Sequence, residues 1–169
     1  MRAALDERAR VRGARQGSVS DLEALFRTHW PRAFRAAYLV THHAGAAEDV
    51  AQEAFLAAIR SLDRFDRRRP FGPWLHRIVV NRAIDWTRAR RLRSEVELSE
   101  SLPAPQPSGS PGSDVLAALA HLSPEHRAVV VMRYLLEFTP GEIAEALDLP
   151  RGTVNSRLRR GLDALAEDL

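Results

Sequence analysis

The stretch Thr139–Arg160, TPGEIAEALDLPRGTVNSRLRR, constrains the fold more than any other, because it spells two short helices across a tight turn. Thr139 and Glu142 have the T-x-x-E spacing of a capping box, and Pro140 suits a first helical turn. Ile143, Ala144 and Leu147 then fall on one helical face. Asp148-Leu149-Pro150 ends that helix, with Asp148 at the position where a left-handed backbone is wanted. Gly152-Thr153 opens a second helix that turns Val154 and Leu158 inward. Asn155, Ser156, Arg157, Arg159 and Arg160 are left on other faces. A pair of this kind lays its second helix in the major groove, where Arg and Asn side chains match base edges. The plainer alternative is a helical hairpin with a solvated Arg face.

Charge patterning extends the case beyond this motif. The basic residues number 25 and all are Arg, a side chain that binds phosphate and guanine bidentately and stacks on bases. The absence of Lys also fits a GC-rich coding bias. From Arg60 to Arg93 there are eleven Arg against Asp63, Asp66 and Asp85, whereas Ser94 to Asp114 holds no Arg but contains Glu95, Glu97, Glu100 and Asp114. Blocks like these suggest a nucleic-acid footprint followed by a solvated spacer. With no Cys, disulfides, thiolate metal sites and Cys nucleophiles are excluded. No apolar run reaches membrane-spanning length and no signal peptide is visible, so a cytoplasmic protein without membrane insertion is expected.

The periodicity predicts an all-α chain of two small helical domains joined by a flexible linker. Residues 1–19 form a basic extension, expected to be frayed or partly helical. Ser20-Asp21 is read as the cap of a helix with Leu22, Leu25, Phe26, Trp30, Phe34 and Tyr38 at helical spacing, kinked or broken at Pro31. A second helix over Ala46–Phe65 turns Val50, Phe55, Leu56, Ile59 and Leu62 inward. Two Pro and a Gly make Arg67–Pro73 a loop. A third helix, Trp74–Arg91, buries Leu75, Ile78, Val79, Ala83, Ile84 and Trp86. The first domain therefore spans 20–93 and the Pro/Ser/acidic linker 94–113. The second domain spans 114–169, with a helix from Ser123-Pro124-Glu125 through Phe138 ahead of the helix-turn-helix. Roughly 20 linker residues at ~3.3–3.6 Å each reach about 70 Å, or about two turns of duplex DNA at ~34–36 Å per turn.

Arg67, Arg68, Arg69 and Phe71 in the loop, followed by Trp74, Arg77, Asn81, Asp85 and Arg88 on a helix, interleave cations, aromatic rings and an amide. Single-stranded DNA is bound by that mixture, since cations track phosphates and flat groups accept unstacked bases. Trp74 reads better as core, and the Arg triplet better as a DNA contact.

Three blocks carry a family resemblance: AEDVAQEAFLAAIRSLDRF, PFGPWLHRIVVNRAIDWTRARR and LSPEHRAVVVMRYLLEFTPGEIAEALDLPRGTVNSRLRR. Together they resemble bacterial sigma factors of the extracytoplasmic-function (ECF) subfamily, with regions 2 and 4 at roughly 20–93 and 114–169. The resemblance implies a promoter-specificity subunit of RNA polymerase, not an enzyme, with no cofactor and no metal. Asp49, Gln52, Glu53, Phe55 and Ile59 would then meet the β′ clamp helices, and region 4 the β flap. The loop Asp66–Phe71 would capture a flipped −10 base of the non-template single strand, with Arg77, Asn81, Asp85 and Arg88 on the −10-facing helix. Arg151, Thr153, Asn155, Ser156, Arg157 and Arg160 would meet the −35 duplex. Of these, Asn155, Ser156 and Arg160 are expected on bases, and Thr153 and Arg157 on phosphates. An anti-sigma partner is an expected regulator, and no family extension is expected beyond Leu169. Two departures stand out. Asn155 occupies a position where the family often has a basic residue, and F-G-P-W-L replaces the family's F-R-x-W-L.

Two other readings remain open on the sequence alone. One is a stand-alone helix-turn-helix regulator that binds duplex DNA without polymerase. The other is a metal-dependent nuclease using His42, His43, Glu48 and Asp49, although adjacent histidines lack the helical spacing of a metal pair.

Overall fold

The computed structural model describes residues 2–96 and 111–169. Among the described residues every regular element is helical. The N-terminal extension forms α1 (Arg2–Arg15), which buries Val11 and Ala14 against its neighbours. α2 runs over Val19–Thr41, capped by Ser18, whose hydroxyl accepts from the Asp21 N–H at 3.3 Å. The cap thus falls two residues before the expected one. Pro31 lies inside α2 without dividing it. It sits on an exposed face, so the carbonyl that its missing N–H would have met is open to solvent.

α3 spans Ala44–Arg60, followed by a 3₁₀ turn at Leu62–Arg64. Its buried stripe consists of Ala47, Val50, Ala51, Ala54, Phe55 and Ala58, at steps of three and four. Leu56 and Ile59 fall off that stripe and are 51% and 43% exposed, contrary to the inward placement expected from hydrophobicity alone. Small Ala side chains let α2 and α3 approach closely, and Leu56 and Ile59, off that stripe, are left outside.

α4 spans Phe71–Val96 and begins two residues before the second proline of the loop read from the sequence. Pro73 is compatible because a first-turn residue has no intrahelical N–H bond to lose. α5 (Pro111–His121), α6 (Pro124–Tyr134), α7 (Pro140–Leu147) and α8 (Arg151–Asp168) complete the chain. The tether read over 94–113 lies largely outside the described residues, and its two ends belong to α4 and α5. α6 stops at Tyr134 rather than Phe138. Glu137 turns left-handed at φ 63°, and the Phe138 N–H returns to the Met132 carbonyl at 3.0 Å.

The two helical groups share one core. Leu75, Val79 and Val80 of α4 pack in the same cluster as Val129, Met132, Ile143 and Val154. Leu75, Met132, Ile143 and Val154 are fully enclosed, each contributing about 1.5–3 kcal/mol by burial. Polar contacts cross the same joint. The Arg32 guanidinium donates to the Leu135 carbonyl and, at 3.0 Å, to Glu137. Arg127, 7% exposed, donates to Val40 of α2 at 2.8 Å and to the carbonyls of Leu119, Ala120 and Leu122.

Candidate nucleic-acid interface

The helix-turn-helix is built by local chemistry. The Thr139 N–H donates to Glu142 at 2.7 Å, and the Glu142 N–H returns to the Thr139 hydroxyl at 3.3 Å. The Thr139 hydroxyl also donates to the Glu142 carboxylate at 2.8 Å, and together with the Thr139 N–H it holds that carboxyl below its ordinary pKa. Asp148 takes the left-handed conformation at φ 52°, and the Leu149 N–H bonds back to Ala144 at 2.9 Å. α8 then leaves Pro150 with Val154 and Leu158 buried. Gly161 brings α8 onto α6, since a Cβ there would lie 3.0 Å from Val130.

That packing fixes which side chains of α8 face away. Arg151, Asn155, Arg159 and Arg160 are exposed, and Thr153, Ser156 and Arg157 are half-buried at the edge of the same face. The Ser156 hydroxyl donates to the Thr153 carbonyl at 3.0 Å, leaving its lone pairs outward. Among the described residues, Arg151, Arg157, Arg159 and Arg160 form no ion pair. Four unneutralised guanidinium groups on one helix make a surface suited to phosphates and base edges.

A second basic surface gathers at the start of α4. Arg67, Arg68, Arg69, Arg77, Asp85 and Arg88 are exposed, and Asn81 is half-buried. Asp66 folds the loop on itself, accepting the Arg68 N–H at 3.0 Å and its guanidinium at 3.1 Å, and both bonds keep its carboxyl below the usual range. Phe71 lies deeper, 3% exposed, with its ring against His29, Phe65 and Trp74. It supports the loop from beneath, and in this arrangement its ring is not presented to a base. Trp74 packs against the core as read from the sequence.

The second helical group covers part of this surface. The Asn81 amide donates to the Ala146 carbonyl at 3.0 Å, Arg69 lies 3.6 Å from Glu145, and Arg88 lies 3.8 Å from Glu125. α6 and α7 therefore present carbonyl and carboxylate oxygens to side chains that sequence reading assigns to DNA.

On α3, Asp49, Gln52 and Glu53 form an exposed polar-acidic stripe, with Leu56 and Ile59 beside it. Glu53 pairs with Arg82 at 3.2 Å and Gln52 bonds Glu48 at 3.4 Å. Phe55 is 5% exposed and packs, tilted, against Phe26 and Trp30. Sequence reasoning placed Leu56 in the core, and the Ala-rich stripe was the signal that it belongs outside. His42 and His43 serve as caps. His43 Nδ1 accepts the Ala46 N–H at 3.0 Å to start α3, and His42 ends α2 in the left-handed conformation.

The family described as Sigma-70 region 2 matches residues 25–93, and that described as Sigma-70, region 4 matches residues 113–165. The chain is 35% identical to the ECF RNA polymerase sigma factor SigE of Mycolicibacterium smegmatis, with 91% of this chain aligned to 63% of that protein. It thus spans under two thirds of SigE. It is 30% identical to the ECF RNA polymerase sigma factor SigW of Bacillus subtilis, covering 95% of each chain. The solved structure of CnrH in complex with the cytosolic domain of CnrY superposes with a TM-score of 0.69 at 27% identity, covering 95% of both chains. A region 2 match followed by a region 4 match, with relatives aligned along nearly the whole chain, makes this protein a member of the ECF branch of the sigma-70 family.

Proposed function

We propose that the chain directs core RNA polymerase to promoters by holding a −10 and a −35 element at once. The residues around 20–93 act as the docking and −10 unit, those around 114–169 as the −35 unit, and the segment between them as the tether. The unpaired guanidinium face of α8, projected from a capped helix-turn-helix, is the observation that carries this reading. On α3, Asp49, Gln52, Glu53, Leu56 and Ile59 combine acidic and apolar groups in a form that suits a basic helical partner. Arg67, Arg68, Arg69, Arg77, Asn81, Asp85 and Arg88 receive the −10 non-template strand. On this reading the chain is a specificity subunit acting in the cytoplasm, and not an enzyme.

The packing of α6 and α7 over Asn81 and Arg88 supports polymerase dependence. A free chain in this arrangement offers DNA an incomplete −10 surface, and docking on polymerase supplies the energy to part the two groups. A regulatory protein that holds them together would keep the chain inactive. Transcription from genomic fragments with core polymerase and this chain alone tests the function. A complete lack of promoter-specific transcripts defeats it. A strong sequence-specific footprint by the free protein would favour the stand-alone regulator.

Two substitutions test the assignments separately. Arg160→Ala is expected to cost about 1–3 kcal/mol at one −35 position and to relax selectivity there. An equal loss on every promoter variant would make Arg160 a phosphate contact. Gln52→Arg with Glu53→Arg is expected to weaken association with polymerase core by at least about tenfold, because like charges then meet across the contact. The helical circular-dichroism signal should remain, and retained co-purification with core would refute this docking face.

A further inference from the structure

α1 lies outside the matched region 2 segment, yet it is bonded to the loop assigned to the −10 strand and to the turn just before it. Arg15 donates to the Asp63 carbonyl at 2.8 Å, and Arg8 reaches the Arg68 carbonyl at 3.4 Å. At the far end of the loop, Glu7 divides its carboxylate. One oxygen accepts the Phe71 N–H, the first of α4, at 3.2 Å, and the other meets His29 Nε2 at 2.8 Å. The first N–H groups of a helix lack partners within the helix, and a carboxylate beside them also meets the positive end of the helix dipole. Hydrogen bonds from His29 and Phe71 hold the Glu7 carboxyl below its usual range. An ionised carboxylate only accepts, so Nε2 of His29 carries the hydrogen.

Gly72 completes the arrangement. A Cβ at that position would lie 3.0 Å from His29 Cε1 and 3.2 Å from Nδ1. The imidazole therefore occupies the space that a side chain at 72 would need. Gly72 thus lets His29, held by Glu7, lie close against the first turn of α4, and a side chain at 72 would require the imidazole to give by a few tenths of an ångström.

We propose that Glu7 is a positioning residue for −10 strand recognition, capping α4 from the neighbouring helix and so fixing the loop Asp66–Pro70. The proposal rests on the reading that this loop receives the non-template strand. It makes α1 part of the recognition unit, although no residue of α1 need touch DNA. Removing Glu7 frees the Phe71 N–H and the His29 ring together, and the loop loses its anchor at the α4 end.

The test uses the full chain bound to core polymerase and a labelled single-stranded −10 oligonucleotide carrying each base in turn at the captured position. Glu7→Ala is expected to weaken the preferred oligonucleotide by about tenfold and to flatten the base preference, the size of one charge-assisted hydrogen bond. Affinity for core polymerase and for −35 duplex should stay within about twofold. Glu7→Gln should recover most of the loss, because its amide oxygen still accepts the Phe71 N–H. In the free chain, amide exchange over residues 67–72 should quicken in Glu7→Ala while that of α8 is unchanged. Unchanged exchange at 67–72, or loss of protection in every helix, overturns the positioning role. So does an unaltered base preference. A wild-type holoenzyme indifferent to the captured base would sink the reading of the loop itself, and with it the role given to Glu7 in recognition; the exchange data then report only whether the cap exists.

Discussion

Arg127→Met is expected to lower the unfolding free energy by about 3–5 kcal/mol, a large part of what holds a chain of this size folded. The guanidinium is enclosed and donates four hydrogen bonds of 2.8–3.0 Å, to Leu119, Val40, Ala120 and Leu122. Three of those carbonyls belong to α5 and the turn before α6, and the fourth to α2. One side chain thus closes the α5–α6 corner and ties it to the first helical group. Burial pulls the Arg127 pKa down to about 10, so the group is still charged at neutral pH, and four carbonyl dipoles accept from it. Methionine keeps much of the apolar stem but leaves those acceptors without a donor, at about 1–3 kcal/mol for each that water cannot reach. Lysine should do only partly better, since a single ammonium cannot match a planar fork. Denaturant unfolding followed by circular dichroism measures the loss. A change under about 1 kcal/mol would mean that water replaces the guanidinium and that the joint is looser than its geometry.

Arg127 also marks where the sequence stops being legible. In PEHRAVVVMRY it is one more polar residue on an amphipathic helix, and nothing local distinguishes it from Arg133. Its partners lie on three other segments, so only tertiary packing gives it a role. The helix-turn-helix was legible because its determinants are local: Thr139 with Glu142 three residues on, Asp148 in a left-handed turn, and Val154 with Leu158 one turn apart. Helix ends set by contacts from elsewhere were not. The first N–H of α4, at Phe71, is taken up by Glu7, a residue of the segment read as frayed or partly helical. Leu56 shows a different limit. Hydrophobicity places it inside, but close helix packing selects Ala47, Ala51, Ala54 and Ala58 for the interior. The outward Arg face of α8 was legible from helical spacing, whereas the engagement of Asn81 and Arg88 by the second helical group was not.

Acid should loosen the same joint. His42 ends α2 with Nε2 enclosed and unpartnered, and burial together with the charge of Arg127 pushes its pKa down to about 4. His76 on α4 is likewise enclosed, and burial pushes it to about 4 as well, with His29 and Arg32 acting in the same direction and Glu7 in opposition. A base whose pKa is lower folded than unfolded binds its proton first in the unfolded chain, so acid favours unfolding. The contribution is whole above pH 6.5 and is lost progressively as pH falls from 6.5 to about 4. For His76 that comes to about 2 kcal/mol by pH 5, and His42 adds a loss of the same sign. Glu7 extends the trend, because a carboxyl depressed by folding loses its contribution as pH falls through its folded value. Denaturant midpoints are therefore expected to drop markedly between pH 7 and pH 5, and His76→Gln should flatten that slope whatever it does to stability at pH 7. A proton on His42 would be repelled by the guanidinium that ties α6 to α2, so acid weakens the place where the two helical groups meet. A stability unchanged between pH 7 and pH 5 would mean that both imidazoles find water or a hydrogen-bond partner, and that the joint opens far enough at neutral pH to admit it.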